Sequence, residues 1–217
     1  MQSRNTLLFL MALAVVSQPL WSQTPPPRPE EEDVPLAEIL QSPATSGVEI
    51  GSFSVKLQRT TLQDALMSFG VGQIRHEGDA GKSVYWICYL LKGSRTQSRL
   101  WLVSDGEMGG DTHVVTGIYA AYNQSDPGNA GECPELRVNS SAVHFDHGIW
   151  LEASAEKLAV LGHAPPQSAG WWRYSYQGTQ KLRDRGRLES FDVTSQFDVQ
   201  LRDGKVAAVW TSEILSN

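Results

Sequence analysis

Two cysteines are all that this 217-residue chain carries, Cys88 and Cys133, and neither belongs to a Cys-x-x-Cys pair or has a histidine at ligand spacing beside it. That removes the common zinc scaffolds. Positive charge is also short: the formal net charge is -6. Such an acidic balance argues against nucleic acid or an anionic membrane surface as partner. Beyond the N-terminal region, no stretch approaches the roughly 20 apolar residues that a membrane-spanning helix needs. A nucleophile elbow of the Gly-x-Ser-x-Gly kind, a phosphate loop and a dinucleotide fingerprint are missing too. Gly70-Val-Gly72 lacks the third glycine and follows a helical pattern rather than a strand. These gaps lead us to expect no cofactor.

What is present begins with an export signal. Arg4 is the sole charge ahead of an apolar run from Leu7 to Val16, Pro19 breaks any helix, and Ser22 offers a small residue for cleavage near Ser22–Gln23. Residues 1–23 read as a signal peptide. No cysteine stands near the cleavage point to take a lipid, so the expected destination is the periplasm or the medium, without membrane insertion. Cleavage would leave a net charge of about -7. Residues 24–46 open with Thr-Pro-Pro-Pro-Arg-Pro and Glu30 to Asp33, a composition that buries little; they read as a Pro/Glu-rich disordered linker or tether. In an oxidising compartment the two cysteines are expected to pair. The bridge closes a loop of about 45 residues, worth on the order of 4 kcal/mol in the chain-entropy account. A free catalytic thiol or a metal site is the rival reading.

The globular part, from about Gly47, reads as two copies of one pattern, 47–130 and 131–217. In the first, Thr60 and Thr61 can cap a helix with Gln63 and Asp64 placed for a capping box. Leu62, Ala65, Leu66 and Phe69 recur at helical spacing, and Gly70 stops the helix. Strands come next over 84–91, 99–104 and 113–122, with Asp105-Gly106 as a turn. In the second copy Ser154 heads a short helix through Leu158 and Leu161, ended by Gly162 and Pro165. Strands then run over 171–176, 191–193 and 196–202, and Asp203-Gly204 turns into 205–211. Asp-Gly between alternating apolar runs is a strong hairpin signal, and here it stands at corresponding places. The expected fold is α+β: two tandem helix-plus-antiparallel-meander repeats, with the helices on one face of the sheets.

Leu161-Gly-His-Ala-Pro165 together with Asp203-Gly-Lys-Val206 resembles the small lipoprotein of the bacterial β-barrel assembly machinery. Two such units in tandem, exported and disulfide-bonded, are similar to the architecture of the β-lactamase inhibitor protein. The resemblance covers most of 47–217 as topology and punctuation. It implies a fold and a habit of binding proteins. The lipidation cysteine is absent, and no inhibitory residue of that family maps onto a position here.

Three groups of side chains could carry chemistry. His144-Phe-Asp-His147 offers metal-type ligands from one short segment without a second cluster, so we expect no metal site. Asp79, Glu107 and Asp111 lie in Gly-rich loops. They would serve a hydrolase if the fold brought them together, and otherwise they are turn chemistry. The third group is aromatic. On a strand, Trp171, Arg173 and Ser175 share one face and Trp172, Tyr174 and Tyr176 the other. Helices on one side would leave one face open, and Trp, Tyr and Arg dominate protein interfaces. Trp171, Arg173, Trp101 and Tyr174 are the candidate binding residues. The basic cluster Lys181, Arg183, Arg185 and Arg187 reads as a solvated loop or strand edge. The leading expectation is a non-enzymatic protein-binding module of the bacterial envelope (inhibitor, immunity or assembly-factor type). The alternatives are a secreted hydrolase using the loop carboxylates and a tethered structural envelope protein.

Overall fold

A computed structural model describes residues 25–27, 29, 34–93, 97–110, 112–122, 133–165, 169–184 and 187–216. The chain runs β1 (Leu36–Ile39), β2 (Gly47–Ile50), β3 (Phe53–Lys56), α1 (Leu62–Phe69), β4 (Arg75–Glu77), β5 (Val84–Lys92), β6 (Gln97–Asp105), β7 (Gly117–Tyr122), β8 (Glu135–Asn139), β9 (Val143–Phe145), β10 (Gly170–Asp184), β11 (Arg187–Arg202) and β12 (Lys205–Ser216). Among the described residues the strands make one nine-stranded mixed sheet, ordered β1-β10-β11-β12-β7-β6-β5-β4, with β8 parallel to the far end of β5. A second sheet, β3-β2-β9, has three strands.

The expected α+β fold of two tandem helix-plus-meander repeats is not what forms. Both meanders exist, β5-β6-β7 and β10-β11-β12, but they join edge to edge through the antiparallel β7–β12 pair. A separate meander would leave both outer strands with unpaired backbone groups; fusion removes two such edges at once. The second helix is also lost. Residues Ala155–Leu161 form a 3-10 helix, and Ser154 makes no side-chain cap. Its inward residues Ala155, Leu158 and Leu161 fall three apart, the period of a 3-10 turn rather than of an α-helix.

The first helix forms as its sequence dictates. Thr61 accepts from the Asp64 backbone N–H while the Asp64 carboxylate accepts from Thr61, and Gly70 ends the helix in the left-handed region at φ 67°. The hydrogen bonds from Thr61 hold the Asp64 carboxyl below its ordinary pKa. The two Asp-Gly pairs part company. Asp203-Gly204 is a two-residue hairpin turn with φ 53° and 70°, as a type I′ turn requires. Asp105-Gly106 leads instead into a 3-10 turn and a long excursion. The Val115 N–H there donates to the Thr60 carbonyl and the Leu62 N–H to the His113 carbonyl, which ties the excursion to the start of α1.

The main core lies between the inner face of the large sheet and a cover made of β2, β3, β9, α1 and the 3-10 helix. Tyr89, Leu100, Ile118, Phe197, Val199 and Val209 of the sheet meet Val48, Ile50, Leu62, Phe145 and Leu158 of the cover. Part of the segment expected as linker is built into this body. β1 pairs in parallel with β10, the Arg173 N–H donates to the Pro35 carbonyl, and Val34, Leu40 and Ala44 are buried. Of the run Val34-Pro-Leu-Ala-Glu-Ile-Leu40, Val34 and Leu40 are buried and Ala37 packs on the core, while Leu36 and Ile39 stay exposed.

Candidate binding cleft on the outer sheet face

Strand register aligns the outer face in rows that cross five or six strands. One row runs Arg173, Asp198, Trp210, Tyr119, Trp101, Cys88 from β10 to β5. Its neighbour runs Trp171, Gln200, Ala208, Ala121, Arg99, Leu90. Directly opposed residues of antiparallel strands share a face, so these side chains stand together on the side away from the main core. A third row contains Gly117 opposite Val103, which is opposite Trp86. A Cβ at Gly117 would lie 2.8 Å from Cη2 of Trp210, so the indole lies across the strand only because residue 117 has no side chain.

This face was expected to stand open, and it does not. Trp86, Cys88, Leu90, Trp101, Val103, Tyr119, Cys133, Ala208 and Trp210 form a second buried cluster, with Trp171, Val84 and Ala121 half-buried around it. Trp101 and Tyr119 pack with ring centroids 5.2 Å apart, and Tyr119 and Trp210 at 6.4 Å. Burial pushes the Tyr119 phenol up to about 12. Cys88 and Cys133 are bonded to each other, with Cα atoms 5.2 Å apart, and the bridge is part of this outer cluster.

A cleft of about 420 Å³ opens at the β10 side of the cluster. Its walls are Trp171, Trp101, Tyr119, Arg99 and Arg202, with Pro27 and Pro29 of the N-terminal segment on one side. Ala207 reaches it because the β11–β12 pairing slips by one residue after Gln200. The indole N–H of Trp101 is buried and has no acceptor among the described residues.

The four candidate binding residues therefore separate. Trp171 and Trp101 meet in the cleft, from β10 and β6. Arg173 lies one row away and makes a bidentate pair with Asp198, 2.8 Å at both contacts, and the Asp198 side chain is fully buried. Its guanidinium neutralises a buried carboxylate. Tyr174 is on the opposite face, inside the main core, where its hydroxyl donates to the His163 carbonyl at 2.9 Å. Sequence reading missed Tyr119, Arg99, Arg202 and the two prolines as wall residues. Strand register brings Tyr119, Arg99 and Arg202 beside Trp171, whereas Pro27 and Pro29 reach the cleft from a segment outside the sheet.

The other candidates take structural places. Asp146 accepts from the backbone N–H and the hydroxyl of Ser46, and His144 on β9 is paired across from Glu49 on β2. Asp79 precedes the turn at Ala80–Lys82 without capping it, while Asp111 and the Glu107 side chain lie outside the described residues. Of the basic cluster, Lys181 is exposed near the end of the β10–β11 hairpin. A second cleft, about 510 Å³, lies under the long hairpin and is lined by Lys56, Arg59, Gln180, Leu182 and Glu213. Burial raises the Glu213 carboxyl above its ordinary pKa, against the opposing pull of Arg59.

No helix among the described residues is long and apolar enough to cross a membrane. Set against protein-family models, curated proteins and solved structures, the chain matches none of them.

Proposed function

We propose that this protein is an exported, non-enzymatic module that binds another envelope or extracellular protein through the outer-face cleft. The observation that carries the reading is the convergence of Trp171, Trp101 and Tyr119 from three different strands on one concave site, with Arg99 and Arg202 at its walls. Aromatic and arginine side chains held in a desolvated, rigid setting are the types that dominate binding energy at protein interfaces. A sheet supplies that rigidity at low entropic cost, because its side chains are ordered before the partner arrives. The bonded Cys88–Cys133 pair is compatible with an oxidising destination.

The test is site-specific photo-crosslinking in the native cells. A photoreactive residue is placed at Gln200, which lines the cleft, and in a control at Val160, an exposed position on the 3-10 helix. The expected result is one protein adduct from Gln200 that is absent from Val160 and lost on Trp171→Ala. Equal adducts from both positions, or none from Gln200 in a folded, expressed chain, would overturn the reading.

A further inference from the structure

We infer that the cleft beneath the long hairpin binds a small zwitterion with an apolar side chain, either a free α-amino acid or a short peptide. Its ammonium group meets Glu213, its carboxylate meets Arg59, and its side chain packs among Leu57, Leu182 and Leu215, all of which line the cleft. The site shares no residue with the outer-face cleft.

Strand lengths create the site. β12 leaves β7 at the Ser212–Gly117 pair but stays with β11 out to Asp192–Ser216, and β10 follows β11 as far as Asp184–Arg187. A three-stranded ribbon therefore projects past the rest of the sheet. Register sets Tyr176, Ser195 and Glu213 in one row, and Gly178, Val193 and Leu215 in the next. Residues two apart share a side, so both rows continue the inner face of Tyr174, Phe197 and Thr211, and Gln180 and Leu182 stand with them. The other wall is the turn that ends β3. Gln58 takes φ 58° there, and its side-chain amide donates to the Glu213 carbonyl. The Thr60 N–H donates to the Lys56 carbonyl, while the Thr60 hydroxyl oxygen accepts from the Lys56 N–H at 2.8 Å. Both walls are thus held in place before a ligand arrives, which lowers the entropy lost on binding.

Two opposite charges face this cleft without closing on each other. Arg59 is exposed and Glu213 half-buried; no ion pair joins them, and neither side chain has a hydrogen-bond partner among the described residues. Lys56 differs, with its Nζ 3.2 Å from Glu49 Oε1 and 3.3 Å from Ser46 Oγ. Arg59 is therefore the cation left for a ligand. A ligand carboxylate suits the planar guanidinium, which can hold it with two parallel hydrogen bonds. An ammonium group supplies the donors that a partly desolvated carboxylate lacks. A ligand that is only an anion is repelled by Glu213, and one that is only a cation by Arg59. Between the charges the surface is apolar, with Leu57 buried and Leu182 and Leu215 half-buried. The volume, about 510 Å³, is within the range of small-ligand sites.

The probes are L-leucine and L-leucyl-L-leucine, each titrated into the full chain by calorimetry and by methyl resonances. Isocaproate, which lacks the amine of leucine, and leucinamide, which lacks the carboxylate, are the controls. Saturable binding of leucine or of the dipeptide is expected, with the methyl resonances of Leu57, Leu182 and Leu215 shifting together. The tighter of the two probes identifies the source as free amino acid or peptide. Each control should bind at least about tenfold more weakly than leucine, because one charged hydrogen-bonding end is missing. Glu213→Gln and Arg59→Gln should each weaken the better probe by about tenfold or more. Glu213→Gln removes a half-buried charge and is expected to fold at least as stably as wild type, so its loss of binding cannot be put down to unfolding. A folded wild-type chain that binds neither probe saturably would overturn the inference. So would a control that binds as tightly as leucine, or a folded Glu213→Gln chain with wild-type affinity.

Discussion

The two faces of the large sheet are buried by different means. The inner face is aliphatic and aromatic, with Leu100, Ile118, Phe197, Val199 and Val209, and it is covered by other elements of the fold. The outer face closes on itself with tryptophan and tyrosine, the Cys88–Cys133 bridge, and the one buried ion pair, Arg173–Asp198, among the described residues. Simple area burial suffices inside, where each residue adds about 25 cal/mol per Å² removed from water. Outside, the sheet relies on placed groups: a glycine under an indole, a guanidinium on a carboxylate, and a covalent link. Such groups are intolerant of change because it leaves a clash, or a buried carboxylate stripped of its bidentate guanidinium.

The sharpest way to break this contrast is at the ion pair. Arg173→Ala leaves the fully buried Asp198 carboxylate without its bidentate partner, and truncating one side of a buried pair costs roughly 3–5 kcal/mol. Urea denaturation should show a loss of that size, and Arg173→Met with Asp198→Leu should recover most of it. A single variant within about 1 kcal/mol of wild type would mean the pair is not what holds this face. Arg173→Ala thus reports on stability and is not a clean test of binding; Trp171→Ala is.

A smaller effect is expected at Gly117. The new Cβ of Gly117→Ala would lie 2.8 Å from the Trp210 ring, and displacing a packed side chain costs about 1–3 kcal/mol. The melting temperature should fall and the near-ultraviolet circular dichroism of the tryptophans should change. An unchanged spectrum would show that the indole has room to move.

The smallest effect belongs to an acid on the other side. Glu213 shares the inner side of β12 with Thr211 and Val209, and burial raises its pKa in the folded state. Between its unfolded and folded pKa values the native state binds more protons, so by linkage stability falls as pH rises through that window. Glu213→Gln should therefore raise the melting temperature at neutral pH and leave it unchanged below about pH 4, where the native carboxyl is already neutral. A gain of equal size at both pH values would point to packing instead of charge.

Legibility in the sequence tracked the range of the interactions involved. The Thr61–Asp64 capping box, the stop at Gly70 and the Asp203-Gly204 turn are settled within four or five residues, and each was readable. The alternation of Trp171, Arg173 and Ser175 against Trp172 and Tyr174 was readable as well, since period two is a local property. Which face would be covered was not. Tyr174 went to the core because the cover of α1, β2, β3 and β9 lies on its side of the sheet, and no local pattern at residues 171–176 records that. The second Asp-Gly pair made a hairpin and the first did not. The cause is distant in sequence: the excursion over residues 106–116 is held by Thr60 and Leu62, which lie more than forty residues earlier.

By itself, the sequence determined the strands of the two meanders, the capped helix at Leu62–Phe69 and the tight turn into β12, while β1, β2, β3, β4, β8 and β9 were not legible in it. Its two cysteines also left one intramolecular pairing available. Only the tertiary structure decided that the two meanders would merge through β7 and β12, and that prolines from the N-terminal segment would stand beside Trp171 and Trp101. Dihedral preferences and caps act over a few bonds, whereas strand order and the composition of a cleft depend on contacts between residues that are distant along the chain.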